Sequence, residues 1–492
     1  MTTLSTLRKD LNVADLPILT WAINLLLIQG LLGALDTLYH HELTVGLPRR
    51  HSARLELAIH AVRSCCYGIL FLAIAHVAFQ GVWAIIVAAV FTLEIGLTLW
   101  DFVVEDRSRK LPAIERIMHT VLAINAGAFF ALYGVELLQW SSLPSGLVAI
   151  DLGWRGWLLT LFAIGVTASG VRDALAALRM QRRGLPANPF ARGAYKQVLV
   201  TGGTGFIGEA LVNQLLDAGH TVSVLARDPL RAAYLFDGRA RCVRSLDLLG
   251  HHERFDVLIN LAGAPVAGPR WTARRQAQLL ASRVGTTEAL LRWMQHAKHK
   301  PALWIQASAI GYYGVRDGSQ HLEETAGKGH GFMAELCARW EAAASPARQL
   351  GARQVVLRLG VVFGPGGALT PLLMPFRLGM GGRMGDGRQI LSWVHRDDVL
   401  QVMARAMDDT SMQGTYNMVA PEPVSQAEFA STAGKLLKRP VWLHIPAAPV
   451  RAMAGEMAEL FFDGQRVLPS RLEQAGYRFN YPTLDSALRD LA

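Results

Sequence analysis

The chain has 492 residues, of which 51% are hydrophobic and only 18% charged, and its formal net charge is +10. That length predicts two or three domains, and so apolar a composition excludes a chain that is soluble throughout. The positive charge forms no stripe interleaved with aromatics, which argues against a nucleic-acid partner. The four cysteines, Cys65, Cys66, Cys242 and Cys337, have neither metal nor disulfide spacing, as expected in a reducing compartment.

The hydrophobic excess lies before residue 180. Five segments there, 17–36, 58–79, 82–101, 117–136 and 154–172, approach or exceed the ~20 apolar residues that cross a bilayer. They predict an all-α transmembrane bundle, with a tight turn near Gln80-Gly81. No small-residue cleavage site follows the first segment and further spans come after it, so a removable signal peptide is not expected. Arg49, Arg50 and Arg54 lie between spans one and two, and Arg107, Arg109, Lys110 and Arg116 between three and four. Positive loops stay in the cytoplasm, so the N-terminus is expected outside and everything after Arg172 inside. The net charge then reflects basic residues beside anionic lipid.

Under that topology several acids and histidines converge at the cytoplasmic ends of the spans. Asp36 and His40, Glu56 and His60, and Glu115 and His119 are each four residues apart, hence on one helical face, with Glu94, Asp101 and Glu105 on span three. Carboxylates and imidazoles from facing helices are how bundles build iron or manganese sites, which makes Glu56, His60, Glu115 and His119 candidate metal ligands. Ion pairs with Arg54, Arg63 and Arg116 are the other reading. Glu94, well inside its span, is the acid hardest to assign to an interface.

A Gly-, Pro- and Arg-rich stretch, 181–196, is expected to be a linker. After it, the apolar run Val198-Leu199-Val200-Thr201 leads into Gly202-Gly203-Thr204-Gly205-Phe206-Ile207-Gly208 and an amphipathic helix. Gly202 permits the tight turn, Gly205 the approach of backbone to a pyrophosphate, and Gly208 close packing of helix on strand. The phosphates would lie against Thr204, Gly205, Phe206, Ile207 and Gly208 at the helix N-terminus. The next strand, 221–226, ends at Arg227, where an acidic residue would suit the free ribose hydroxyls of NAD; Arg suits a 2′-phosphate, which favours NADP over NAD. A third strand leads into Ala262-Gly263 and a fourth into Ser308, giving the alternation of a doubly wound parallel sheet.

With Ser308-Ala309-Ile310-Gly311-Tyr312-Tyr313-Gly314, Phe332 to Glu341, Ser392 to Asp398 and Gly464 to Leu472 followed by Ala475-Gly476-Tyr477, residues 197–492 resemble the atypical or extended short-chain dehydrogenase/reductase superfamily. Within it they resemble the epimerase-like NADP-binding family that ends in a small C-terminal module. The apolar runs predict a membrane helical domain at 1–180, and the resemblance implies a Rossmann domain with substrate lobe at 197–430 and a module completing that lobe at 431–492.

It also implies a catalytic Ser with a Tyr-x-x-x-Lys pair on a helix. Ser308 matches, but Met333 and Cys337 stand where the Tyr and Lys belong. Tyr312 and Tyr313 offer a phenol from another direction, and Tyr312 is taken with Ser308 as the catalytic candidate. Arg358 suits either a substrate anion or a structural salt bridge, His395 with Asp397 and Asp398 a structural role, and Gly379 to Arg388 a mobile flap. The expected function is a membrane-anchored NADP-dependent epimerase or reductase acting at the cytoplasmic face on a small-molecule or lipid-linked substrate. The alternative is an NADPH-binding sensor or scaffold that has lost catalysis.

Overall fold

The computed structural model describes residues 17–39, 54–108, 113–183, 187–316 and 318–491. His40, Arg49, Arg50, Arg109 and Lys110, invoked above, lie outside them. The chain divides into two compact units, Met1–Leu185 and Pro186–Ala492.

Among its described residues the first unit contains five long helices, each a run of apolar residues bounded by charge or glycine: α1 (Pro17–Asp36), α2 (Arg54–His76), α3 (Val82–Ser108), α4 (Ala113–Ser141) and α5 (Trp154–Arg183). All five are long and apolar enough to cross a membrane. They close into a ring, α1 on α4, α4 on α3, α3 on α2, α2 on α5 and α5 on α1. Small residues set the α2/α5 contact. A Cβ on Gly170 would stand 2.8 Å from Ser64 Cβ and 3.1 Å from the Ala61 carbonyl, so only glycine admits this approach. Inside the ring, Leu19, Ile23, Leu26, Phe71, Ile74, Phe129, Tyr133 and Trp140 form one apolar cluster. Between α2 and α3 the chain adds a short strand, Val77–Gln80, paired antiparallel with Gly146–Ala149. The turn expected near Gln80-Gly81 falls at Gly81, where φ is +60°. α5 runs to Arg183, so the first residues of the expected linker are helical.

The second unit is built on a seven-stranded, wholly parallel sheet. Its strands are β1 (Gln197–Thr201), β2 (Thr221–Leu225), β3 (Arg241–Val243), β4 (Val257–Asn260), β5 (Leu303–Ala309), β6 (Arg353–Leu359) and β7 (Gly414–Met418), in the order 3-2-1-4-5-6-7. Val198, Leu199, Val200, Leu258 and Ile259 are each fully buried, as befits strands covered on both faces. The order reverses between β1 and β4, and such a switch point opens a crevice at the carboxyl ends of the strands. Residues 187–193, expected within the linker, are packed: Asn188 donates to the Gln214 carbonyl at 2.7 Å and Phe190 is buried in the core.

The boundary expected at 430/431 falls inside the helix Gln426–Leu437, and C-terminal strands pair with earlier ones: Val441–Ile445 with Gly381–Met384, and Arg466–Val467 with His321–Leu322. The expected flap over 379–388 is therefore corrected to a hydrogen-bonded strand and turn. A Cβ on Gly382 would collide with the Leu443 carbonyl, so the glycines serve close pairing here.

Candidate functional site

The glycine turn follows β1 and leads directly into helix α6 (Phe206–Asp217). Gly202 has φ +71°, and a Cβ there would stand 2.5 Å from the Leu261 carbonyl oxygen. A Cβ on Gly208 would collide with the Gly202 carbonyl, so the helix lies as close to the turn as glycine permits. Gly205 is the N-cap and supplies no side chain, leaving the first turn of α6 without a side-chain cap. Backbone N–H groups of an uncapped helix start seek an anion. Thr204 and Gly205 are exposed there, while Phe206 turns inward beneath the Arg396 guanidinium. Arg227, two residues beyond β2, is exposed.

On the other side of the switch point, a buried polar network holds the strand ends. Thr201 Oγ1 donates to Asn260 Oδ1 at 2.6 Å, and Asn260 Nδ2 donates to Thr287 Oγ1 at 2.8 Å and Gln306 Oε1 at 3.0 Å. The Ala262 N–H reaches the same Asn260 oxygen at 3.3 Å, which fixes the Ala262-Gly263 turn. Gly263 faces Arg283, whose Cζ would stand 2.9 Å from a Cβ there. Arg283 sits on a π-turn, Ala281–Gly285, donates to the Ala264 carbonyl at 3.0 Å and lies 5.1 Å from the Trp340 ring centroid. Single π-turns of this kind recur at functional sites.

Ser308, Arg358 and Asn417 occupy one register row across β5, β6 and β7. Ser308 Oγ donates to Glu341 Oε1 at 2.6 Å. Arg358 grips the same carboxylate through Nε and Nη2, and its Nη1 donates to the Tyr313 hydroxyl at 2.9 Å. Tyr313 in turn donates to Asn417 Oδ1 at 2.7 Å. The Tyr312 ring lies 3.5 Å from the Arg358 guanidinium carbon, a close cation–π stack. Tyr312 is half-buried, and its hydroxyl has no hydrogen-bond partner among the described residues. Burial raises the Tyr313 phenol above its ordinary value, so Tyr313 stays protonated.

Of the two readings of Arg358, the structure has the salt bridge. Sequence reasoning missed Glu341, which draws Ser308 and Arg358 together; an acid on the helix Phe332–Ala344 facing the sheet was its only signal. Met333 and Cys337 lie on that helix against Gly311. Burial pushes the Cys337 thiol up to about 12, which removes it as a nucleophile.

His395 accepts from the Asp397 N–H at 3.2 Å and caps the helix Arg396–Asp408, while Asp398 accepts from the Tyr477 hydroxyl and the Asn480 N–H. His395 thus caps a helix, and Asp398 ties the C-terminal segment to it.

In the helical unit, Asp36, Glu56, Asp101, Glu105 and Glu115 are buried. Ligand atoms of Glu56, His60 and Glu105 lie within 4.8 Å of one another. His119 joins Glu105 Oε2 at 3.1 Å and Asp36 Oδ2 at 3.2 Å. Of the four residues expected as ligands, the structure thus brings Glu56 and His60 together with Glu105, while His119 lies behind Glu105 and Glu115 is not part of that group. Glu94 pairs with Arg63 at 3.0 Å, and Arg63 also reaches Asp101 Oδ2 at 2.5 Å.

A parallel sheet in this order, with a glycine turn and an open helix N-terminus at its switch point, defines a Rossmann-type nucleotide-binding protein. Residues 198–418 match the NAD dependent epimerase/dehydratase family, and residues 445–491 match a domain of unknown function, DUF1731. Mouse epimerase family protein SDR39U1 is 38% identical over 299 residues, covering 60% of this chain and 99% of that protein. Epimerase family protein YfhF of Bacillus subtilis is 35% identical over 302 residues, 60% of this chain and 97% of that one. The crystal structure of human epimerase family protein SDR39U1 (isoform 2) with NADPH superposes with a TM-score of 0.55 at 34% identity, over 60% of this chain and 99% of that one. The chain belongs to this epimerase family.

Proposed function

We propose that the chain is an NADPH-dependent epimerase- or reductase-like enzyme, anchored in a lipid bilayer by its helical unit and working at the cytoplasmic face on a small-molecule or lipid-linked substrate. The observation that carries the cofactor assignment is the uncapped start of α6 pressed against the Gly202 turn. Gly202, Thr204, Gly205, Phe206, Ile207 and Gly208 would hold the pyrophosphate, Arg227 the 2′-phosphate, and Ala262 and Gly263 the far side of the dinucleotide. The similarity to a human protein crystallised with NADPH supports NADP over NAD. When bound, NADPH supplies a hydride. Tyr312 is the proton donor and acceptor of the cleft, its ring set by Arg358, and Ser308 contributes a hydroxyl oriented by Glu341.

Membrane anchoring is supported by five apolar helices of 20 to 30 residues that expose Trp21, Ile69, Leu138 and Trp157. The cytoplasmic placement is supported by the Lys and Arg distribution among the loops.

A second reading, an NADPH sensor or scaffold, is favoured by Met333 and Cys337 at the positions of the superfamily's acid–base pair. NADPH tritiated on either face of the nicotinamide, given to the purified chain with a lipid and metabolite extract, separates the two. Label in a new product, lost in Ser308→Ala and Tyr312→Phe, is the expected result. Tight binding with no transfer from either face selects the sensor.

A further inference from the structure

We propose that Glu56, His60 and Glu105 hold a first-row transition-metal ion, manganese, iron or zinc, inside the helical unit, with Asp101 beside them as a further ligand. Glu56 and His60 are one turn apart on α2, and Glu105 and Asp101 one turn apart on α3, which packs on α2. One imidazole with carboxylates is a donor set for these ions and lacks the thiolates that select copper(I).

The spacing agrees with shared coordination. Donors about 2.1 Å from one ion lie roughly 3.0–3.5 Å from each other. His60 Nε2 stands 3.1 Å from Asp101 Oδ2 and 3.8 Å from Glu105 Oε1. Modest side-chain movements therefore suffice to bring these atoms onto a common centre.

A second, independent observation points to a cation. Asp101 is 2% exposed and its Oδ1 has no hydrogen-bond partner among the described residues, although its other oxygen faces His60 and Arg63. A buried carboxylate oxygen with no donor is costly, and an ion taken up by the Asp101 carboxylate through both oxygens would satisfy it. The surroundings also have the form of a metal site's outer shell. His119 steadies Glu105 through Oε2 and is itself anchored on Asp36, the kind of relay that orients ligating carboxylates. His60, Asp101 and Glu105 line a cavity of about 710 Å³ whose far wall is apolar, with Phe71 and Phe162. That cavity gives the ion an entry path and leaves room for water or a small ligand at an open coordination position.

The test uses the full chain in detergent, stripped with chelator and then titrated separately with Mn(II), anaerobic Fe(II) and Zn(II), counting retained ion by mass spectrometry. Wild type should retain one ion per chain for at least one metal. His60→Gln and Glu105→Gln should lose affinity about tenfold or more. Glu136→Gln, a buried acid near the other end of α4, should retain it. Because a ligand variant can misfold, the wild type is also loaded with Co(II), which should give the weak visible bands of a nitrogen and oxygen site. No retained ion in wild type, equal retention in His60→Gln and Glu105→Gln, or an intense thiolate band from Cys65 and Cys66 would each overturn the proposal.

Discussion

Arg358 and Glu341 meet through two parallel hydrogen bonds, Nε to Oε1 and Nη2 to Oε2, each 2.9 Å, with the guanidinium covered by the Tyr312 ring. The Arg358 side chain is 6% exposed and that of Glu341 14%, so the pair is largely shielded from water. Removing one partner of such a pair strands the other. Glu341→Ala should destabilise the α/β unit by about 3–5 kcal/mol. Glu341→Gln, which keeps one oxygen for Ser308, should cost only about 1–2 kcal/mol. Hydrogen exchange of β5 and β6 amides measures this locally, and equal protection in both variants would contradict the assignment.

Gly208 tests the cofactor turn sterically. Gly208→Ala places a methyl on the Gly202 carbonyl, lifting α6 from the turn. NADPH binding should be lost while Gly250→Ala, whose Cβ would meet nothing nearer than 3.8 Å, binds as wild type. Calorimetric titration of the two variants checks this, and an unaffected Gly208→Ala would place the nucleotide elsewhere.

Arg227 tests cofactor choice. A charge-assisted contact is worth about 1.5–3 kcal/mol, so Arg227→Ala should weaken NADPH binding roughly ten- to a hundredfold. NADH binding should not change. Parallel loss of both cofactors would mean that Arg227 serves the fold and not the 2′-phosphate.

His395 gives the α/β unit a pH dependence. Burial lowers its pKa to about 4, below the ordinary 6.5, so the unfolded chain takes up a proton that the folded chain refuses. Stability contributed by neutral His395 is full above pH ~6.5 and declines as pH falls toward 4, by about 3 kcal/mol in all. His395→Asn keeps an acceptor for the Asp397 N–H and cannot charge. Urea unfolding between pH 7 and 4 should show a flatter slope for the variant than for wild type; identical slopes would refute this origin.

What could be read from the sequence was local. Five apolar runs of about 20 residues mark α1 to α5 because a helix satisfies its own backbone within one continuous run, and Gly202, Gly205 and Gly208 mark the turn because backbone must approach backbone there. The structure extends the third, fourth and fifth runs, by up to eleven residues to Arg183 in the fifth, because polar residues continue a helix beyond its apolar core, whereas the second starts four residues earlier than expected and ends three earlier, where Val77–Gln80 forms a strand. Glu341 was hidden because its role depends on the register that aligns Ser308 with Arg358 across two strands distant in sequence. Four-residue spacing paired Glu115 with His119, but helix rotation, which spacing leaves open, turns Glu105 toward Glu56 and His60. The Gly379 to Arg388 stretch looked mobile because glycines that permit close strand pairing and glycines that loosen a loop are the same residues in one dimension.

The most direct test of the central claim is a titration of the 492-residue chain in detergent with NADPH, read as energy transfer from tryptophan to the nicotinamide. Saturable quenching in wild type that disappears in folded Gly205→Asp and weakens in Arg227→Ala is the predicted result. A folded wild type that shows no saturable signal, or a Gly205→Asp variant that binds as wild type does, would contradict it.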